Sequence, residues 1–177
     1  MKKILSLFCV FGFVGCCLWS CGRNVSYSDI PEIRFKSLVF EDRMDPGLDI
    51  SRYAVLTFSF IDGDGDIGVR SPDESNSKIH YTWYKKIQDR YEPYQFASGT
   101  VADSTDIPYD TVMNKDEANN KTLKGAIEVA LSPPLKPQGV DTMRIEFYIF
   151  DRARNKSNVE YTPDFSILNP PEEPITK

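Results

Sequence analysis

The segment Met143-Arg144-Ile145-Glu146-Phe147-Tyr148-Ile149-Phe150 decides the fold of this chain. Its strongly apolar residues recur at every second position, so that one face carries Met143, Ile145, Phe147 and Ile149. A period of two in β-branched and aromatic residues predicts a β-strand with one face on a core. Strands of this kind are typical of antiparallel sheets whose other face meets solvent.

Working outward from this segment, the same pattern recurs along the chain. Further strands are predicted over Ile33–Phe40, Tyr53–Ile61, Ile79–Ile87, Leu123–Leu131 and Asn158–Ile167, the last interrupted by Pro163. The only helix-like composition, Asn114–Lys121, is predicted to be a loop or a short turn. About seven strands with turns between them predict an all-β, antiparallel, immunoglobulin-like β-sandwich over residues 32–168. The predicted core contains Leu56, Phe58, Phe60, Trp83, Ile127, Val129, Ile145, Phe147 and Ile149.

The N-terminal segment has the composition of an export signal. Lys2 and Lys3 precede an apolar run that ends at Leu18, and Trp19 is then followed by the small residues Ser20, Cys21 and Gly22. A charged start, an apolar centre and small residues before a cleavage point are typical of secretory signal peptides. The run is shorter than the roughly 20 apolar residues of a membrane-spanning helix. We therefore expect a signal peptide over residues 1–20.

The sequence Leu18-Trp19-Ser20-Cys21 resembles the lipobox of bacterial lipoproteins. This resemblance implies that Cys21 is lipidated, becomes the mature N-terminus and attaches the protein to a membrane. Residues 21–31 are then a lipidated tether, because they are mostly polar and lack periodicity. The Pro-rich, acidic residues 169–177 are expected to form a flexible tail.

Charge and cysteine content exclude several classes of function. The chain has 21 basic and 26 acidic residues, a net charge of −5, and loss of Lys2 and Lys3 with the signal would leave 19 against 26, or −7. This argues against nucleic-acid binding, which needs basic patches. The cysteines all lie within the signal or at its end, at Cys9, Cys16, Cys17 and Cys21, so the domain has no disulfide and no cysteine metal site. The single histidine, His80, is predicted to lie on the solvent face of a strand.

A run of acidic residues follows the second predicted strand directly. Asp62-Gly63-Asp64-Gly65-Asp66-Ile67-Gly68 places three carboxylates at alternate positions with glycines between them. Calcium takes six to eight oxygen ligands and is bound by loops of this kind. An EF-hand is not predicted, since Ile67 stands where that motif has glycine and a strand leads in. Two interpretations stay open: a calcium loop in a β-domain, and a tight turn with solvated aspartates.

A second polar loop joins the last two predicted strands. It runs Asp151-Arg152-Ala153-Arg154-Asn155-Lys156-Ser157-Asn158 and resembles the Asp-x-Ala-Gly-Asn-x-Ser turn of bacterial immunoglobulin-like domains, with Arg154 in place of glycine. Asp and Asn side chains also fold back on turn backbones, so a purely structural turn is the alternative. In an immunoglobulin-like order both loops lie at one end of the sandwich. We therefore predict that Asp62, Asp64 and Asp66 bind one calcium ion with help from Asp151 or Asn155.

Taken together, these motifs resemble an uncharacterised group of Bacteroidetes lipoproteins. The resemblance rests on the lipobox, on Phe60–Gly68 with its Asp-Gly-Asp-Gly-Asp-Ile-Gly string, and on the late turn Asp151–Asn158. Trp83 also lies on the third strand, where immunoglobulin-like domains often have a core tryptophan, although no cysteine pair flanks it. The resemblance implies a Gram-negative cell envelope, with the outer membrane as the location, and implies no activity.

The predicted function is a lipid-anchored, non-catalytic envelope domain that binds an unidentified protein or glycan ligand. Aromatic residues provide one candidate glycan platform, with packing within the protein as the alternative: Tyr81, Trp83, Tyr84, Tyr91, Tyr94 and Phe96. A second hypothesis is an accessory subunit of an envelope complex. A carboxylate hydrolase is the third, and it is disfavoured because glycoside hydrolysis needs two acids across a cleft, whereas these acids are contiguous.

Overall fold

The computed structural model describes residues 26–47, 49–68, 76–107, 122–134 and 140–177. The signal peptide, Cys21 and the predicted turn Asn114–Lys121 lie outside these residues. The described residues form ten strands and no helix. The strands are β1 (Glu32–Met44), β2 (Ile50–Asp62), β3 (Lys78–Ile87), β4 (Arg90–Pro93), β5 (Ala102–Asp106), β6 (Leu123–Leu131), β7 (Thr142–Phe150), β8 (Glu160–Tyr161), β9 (Phe165–Ser166) and β10 (Ile175–Thr176). In the same part of the chain, no helical segment has the length and apolarity needed to span a bilayer.

Two antiparallel sheets form the fold. The first has the strand order β10-β1-β2-β6, and the second is centred on β3 and β7. Strands β4 and β5 both pair with β3, while β8 and β9 both pair with β7. Immunoglobulin-like domains divide their strands between two sheets in this way. The prediction of an all-β, antiparallel sandwich is confirmed.

The core lies between the two sheets. All nine predicted core residues are buried, and they belong to one hydrophobic cluster. The rings of Phe58 on β2 and Phe147 on β7 meet across the sheets with their centroids 5.4 Å apart. Trp83 is fully buried and packs edge-on against Phe165 at 6.1 Å. Each large apolar side chain buried in this way contributes about 1.5–3 kcal/mol, so the core is the main source of stability.

A β-bulge explains the irregular pattern of β1. Ile33 and Phe35 face the core two residues apart, but the next buried residue is Leu38. The pairing of β1 with β2 shifts between Phe35 and Ser37, which leaves Lys36 as the extra residue. A bulge of one residue turns the following side chains to the opposite face, and this places Leu38 in the core.

The C-terminal part of the chain pairs with both sheets. Pro163 separates β8 from β9, as expected for a residue without a backbone N–H. Residues 169–177, expected to be loose, end in β10, which pairs with β1 at Leu38. The Lys177 ammonium lies 3.0 Å from Glu160 Oε2 and adds a second contact for the terminus.

Candidate metal centre

Two aspartates occupy the inward-facing positions at one end of the core. Side chains of β2 alternate inward through Phe58 and Phe60, and the next inward position is Asp62. Side chains of β7 alternate inward through Ile149, and the next inward position is Asp151. Both aspartates are 0 % exposed. The strand period therefore places two carboxylates in the space between the sheets, where apolar side chains would otherwise lie.

The loop after β2 folds back over Asp62. The backbone N–H of Asp66 donates a hydrogen bond to Asp62 Oδ2 at 2.9 Å. Gly65 has a φ of 69°, a left-handed conformation that glycine adopts without steric cost. Ile67 is fully buried and anchors the end of this turn in the core. Asp64 and Asp66 are consequently brought to the same end as Asp62.

The loop after β7 is a compact turn built on Asp151. Asn155 donates to both carboxylate oxygens of Asp151, from its backbone N–H to Oδ1 at 2.7 Å and from Nδ2 to Oδ2 at 2.8 Å. The turn closes where Phe150 and Lys156 form an antiparallel bridge. Arg154 has a φ of 71°, so the backbone is left-handed at the position where glycine stands in the bacterial immunoglobulin-like turns that this loop resembles. These bonds fix the direction of the Asp151 carboxylate.

Hydrogen bonds join the two loops directly. The backbone N–H of Ala153 donates to Asp66 Oδ2 at 2.8 Å, and that of Arg152 donates to Asp66 O at 3.2 Å. The Arg152 guanidinium donates to Gly68 O at 3.0 Å. The prediction that the two loops meet at one end of the sandwich is confirmed by these contacts.

The result is a cluster of four carboxylates, which we call the aspartate cluster: Asp62, Asp64, Asp66 and Asp151. Each supplies one oxygen, and these oxygens all lie within 4.8 Å of one another. Oxygens on opposite sides of a calcium ion are about 4.6–5.2 Å apart, since each lies about 2.3–2.6 Å from the ion. The aspartate cluster can therefore hold one metal ion.

Two oxygens of the aspartate cluster are buried and receive no hydrogen bond from any described residue. They are Oδ1 of Asp62 and Oδ1 of Asp66, whereas Oδ2 of each accepts a backbone N–H. A buried acceptor without a partner costs about 1–3 kcal/mol, and more when the group is charged. A cation bound by these two oxygens would remove that cost.

Burial and mutual repulsion raise the pKa values of the cluster. Burial is the largest cause of the rise in the pKa of Asp62 to about 7, and the charge of Asp64 adds to it. The pKa of Asp66 is raised by burial and by the charge of Asp151, while the Ala153 N–H opposes the shift. Burial also raises the pKa of Asp151, against the two hydrogen bonds from Asn155. The protein environment therefore disfavours the fully ionised cluster unless a cation is present.

The structure brings all five residues that were predicted as ligands to one end of the sandwich. Asn155, however, differs from the four aspartates in its contacts. The four aspartates converge, while Asn155 directs its side-chain nitrogen to Asp151 and, at 3.3 Å, to the carbonyl of Asp29. Asn155 thus positions Asp151, a candidate ligand, in this arrangement. The contact with Asp29 was not predicted, because the acceptor is a backbone carbonyl that leaves no signal in the sequence.

The aromatic residues considered as a glycan platform all contact other parts of the protein. Tyr81 and Trp83 are buried in the core. The rings of Tyr84 and Tyr91 lie 5.8 and 3.5 Å from the Arg144 guanidinium. Tyr94 and Phe96 form a T-shaped pair at 5.2 Å and pack against the core. His80, on the outer face of β3 as predicted, stacks on Tyr148 at 5.2 Å.

Searches with this chain against family models, curated proteins and solved structures found no match.

Proposed function

We propose that this protein is a lipid-anchored, non-catalytic domain of the bacterial cell envelope whose aspartate cluster binds one calcium ion. The observation that carries the calcium site is the pair of buried oxygens on Asp62 and Asp66 that have no donor among the described residues. They belong to four carboxylates that reach a single point from two loops. Loops bound together by an ion in this way form a rigid end on the sandwich, suited to presenting a binding surface.

Calcium is the proposed ion because every donor in the cluster is a carboxylate oxygen. Hard oxygen donors select calcium or magnesium over zinc and copper, which prefer nitrogen and sulfur. Calcium tolerates irregular geometry with six to eight ligands, while magnesium demands an octahedron and keeps several waters. Asp64 is exposed, so water can complete the coordination shell on its side.

Anchoring to the envelope rests on the sequence. The resemblance of Leu18–Cys21 to a lipobox supports lipidation of Cys21. The resemblance of the aspartate motif to those of Bacteroidetes lipoproteins supports the outer membrane as the location. The ligand of the domain is a protein or a glycan of the envelope.

A second candidate function, an accessory subunit of an envelope complex, is favoured by strand β6. This strand has nine residues and, among the described residues, pairs only through its edge with β2. An extended strand with an unpaired edge is suited to adding a strand from a partner protein. The exposed charges of Lys124 and Glu128 would limit pairing between copies of this chain.

A hydrolase is not proposed. The aspartate cluster gathers its carboxylates at one point, while glycosidases hold two of them across a cleft. A cavity of about 660 Å³ is lined by Tyr53, Pro133 and Leu168 among others. It lies at the beginning of β2, whereas the cluster lies at the end of that strand.

Thermal unfolding with and without calcium tests the proposed site. Calcium that binds only the native state should stabilise it by about 2.7 kcal/mol at 100 times the Kd. We expect the Tm of the wild type to rise with millimolar calcium relative to chelator. The double variant Asp64→Asn with Asp66→Asn should not respond to calcium. Asp103→Asn with Asp106→Asn, on the exposed strand β5, is the control. Equal Tm values for the wild type in calcium and in chelator would refute the calcium site.

Membrane fractionation tests the anchor. We expect Cys21→Ala to move the protein from the membrane pellet to the soluble fraction after a high-salt wash. Retention of that variant in the pellet would contradict anchoring through Cys21.

A further inference from the structure

The residues that lead into β1 lie directly against the loops of the aspartate cluster. The backbone N–H of Gly63, between two aspartates of the cluster, donates to Ser28 O at 2.8 Å. Asn155, which holds Asp151, donates to Asp29 O at 3.3 Å. We call Tyr27–Asp29 the docked segment. It is held by the same two loops that carry the carboxylates.

A third contact comes from β6. The Lys124 ammonium lies 3.7 Å from the centroid of the Tyr27 ring, within the range of a cation–π interaction. Lys124 pairs with Ile61, directly before the cluster. The docked segment is therefore fixed on both of its sides at the end of the sandwich that carries the aspartate cluster.

Gly63 shows how closely the docked segment approaches. A Cβ on Gly63 would lie 2.5 Å from the carbonyl oxygens of both Tyr27 and Ser28. Its φ is not in the left-handed region, so the absence of a side chain serves this approach rather than a turn. The segment can dock only while the loop backbone between Asp62 and Asp64 keeps this position.

We propose that calcium binding to the aspartate cluster and docking of Tyr27–Asp29 are coupled, so that the ion controls how much of the N-terminal tether is free. This inference rests on the proposed calcium site. An ion that orders the two loops fixes the Gly63 N–H and the Asn155 amide that hold the docked segment. By thermodynamic reciprocity, docking must then strengthen calcium binding by the same factor.

The consequence is a change in the reach of the domain from its anchor. Tyr27 is six residues from Cys21, and six residues span at most about 20–22 Å. If the segment is released as far as Glu32, where β1 begins, eleven residues separate the anchor from the fold and span at most about 36–40 Å. A lipidated Cys21 would thus hold the calcium-loaded domain close to the bilayer with the aspartate cluster facing it, and loss of calcium would nearly double the maximum reach of the tether.

The test combines calcium calorimetry with chymotrypsin cleavage after Tyr27, read by mass spectrometry on the full chain in detergent. Gly63→Ala blocks docking by the predicted collision, while Gly47→Ala is the matched control because a Cβ there meets no atom closer than 3.9 Å. Lys124→Ala weakens docking from the exposed face of β6 without altering either loop. It also removes a positive charge, which on electrostatic grounds alone would strengthen calcium binding, so weaker binding would report loss of docking.

We expect calcium to slow cleavage after Tyr27 about 5-fold in the wild type and in Gly47→Ala, at the lower end of typical coupling factors. Gly63→Ala should be cleaved equally fast with and without calcium and bind calcium about 5-fold more weakly. Lys124→Ala should also bind calcium more weakly than the wild type. If Gly63→Ala does not fold, the calcium affinity of Lys124→Ala decides whether binding and docking are coupled.

The failure of the coupling can be distinguished from the failure of the site. Calcium binding by the wild type with unchanged cleavage, and equal affinities in all four proteins, would overturn the coupling and leave the calcium site intact. Absence of any calcium binding by the wild type would overturn both.

Discussion

The two ends of β7 carry two charged clusters that differ in the groups surrounding the charge. Near its beginning, the Arg144 guanidinium lies 3.5 and 4.5 Å from the rings of Tyr91 and Tyr161. Beyond its end, Asp151 meets three further carboxylates. The positive charge of Arg144 is covered by tyrosine rings of the protein, although its Nε has no hydrogen-bond partner among the described residues. The aspartate cluster brings like charges together and has two buried oxygens without a donor among the described residues, and a bound cation would satisfy them.

Both clusters depend on the core between them, and the largest expected effect comes from breaking that core. Phe147 lies on β7 between Arg144 and Asp151 and is fully buried. Phe147→Ala should reduce the free energy of unfolding by about 3–5 kcal/mol, because the lost contacts leave a cavity. Chemical denaturation with and without calcium measures it. A loss below about 0.5 kcal/mol, the usual size for surface sites, would place Phe147 outside the core.

A pH series separates the two clusters. The pKa of Asp62 is raised in the fold to about 7 from an unfolded value of about 3.9. Its protonation therefore contributes fully to the free energy of unfolding below pH ~4. This contribution is lost as the pH rises through 7. In chelator, the free energy of unfolding of the wild type relative to Asp62→Asn should therefore fall between pH 4 and 8, by at least about 1.4 kcal/mol, the equivalent of one pKa unit.

Saturating calcium should abolish this dependence, since the ion takes the place of the proton. Arg144→Met provides the comparison, because the difference in its free energy of unfolding from that of the wild type should stay constant between pH 4 and 8. If the free energy of unfolding in chelator changed with pH in the same way for the wild type and for Asp62→Asn, a buried, ionisable Asp62 would be contradicted.

Removal of the charge of Arg144 should reduce the free energy of unfolding by less than the changes described above. Arg144→Met keeps most of the apolar stem but loses the contact with the tyrosine rings, worth about 1 kcal/mol when partly desolvated. Denaturant unfolding should show this loss to the same extent in calcium and in chelator. A loss that depends on calcium would mean that the two ends of β7 are energetically connected.

The smallest expected effect concerns the turn that carries Asp151. Arg154 occupies the left-handed region at a φ of 71°, which costs an L-residue about 1–2 kcal/mol. Arg154→Gly should raise the free energy of unfolding by about 0.5 kcal/mol, after the entropy that glycine adds to the unfolded chain is subtracted. Ala153→Gly, without a left-handed φ, should instead be destabilising. Equal effects of the two replacements would show that strain at Arg154 is not significant.

The sequence predicted the long strands because their period of two is strong, and it failed where the pattern is polar. Strand β5 has the sequence Ala-Asp-Ser-Thr-Asp and pairs with β3 through its backbone, so no apolar face marks it. Strand β4 is four residues long and mostly exposed. The bulge at Lys36 could be suspected only from the change in spacing between Phe35 and Leu38.

The side chains of the candidate site could be predicted from the sequence, but the contacts made by the backbone around it could not. Extending the inward period by one step from Phe60 and from Ile149 leads to Asp62 and Asp151, which explains their burial. The docked segment Tyr27–Asp29 uses backbone carbonyls and an approach to a glycine, and neither depends on a recognisable side-chain pattern. Such contacts appear only once the two loops are placed in space.

A crystal structure grown with millimolar calcium tests the central claim most directly. We predict one ion between the two loops, about 2.3–2.6 Å from Oδ1 of Asp62 and from Oδ1 of Asp66, with Asp151 and the exposed Asp64 completing the protein ligands. An anomalous signal at that position would identify the ion. Aspartate side chains turned away from one another, with no ion between them at saturating calcium, would contradict the account.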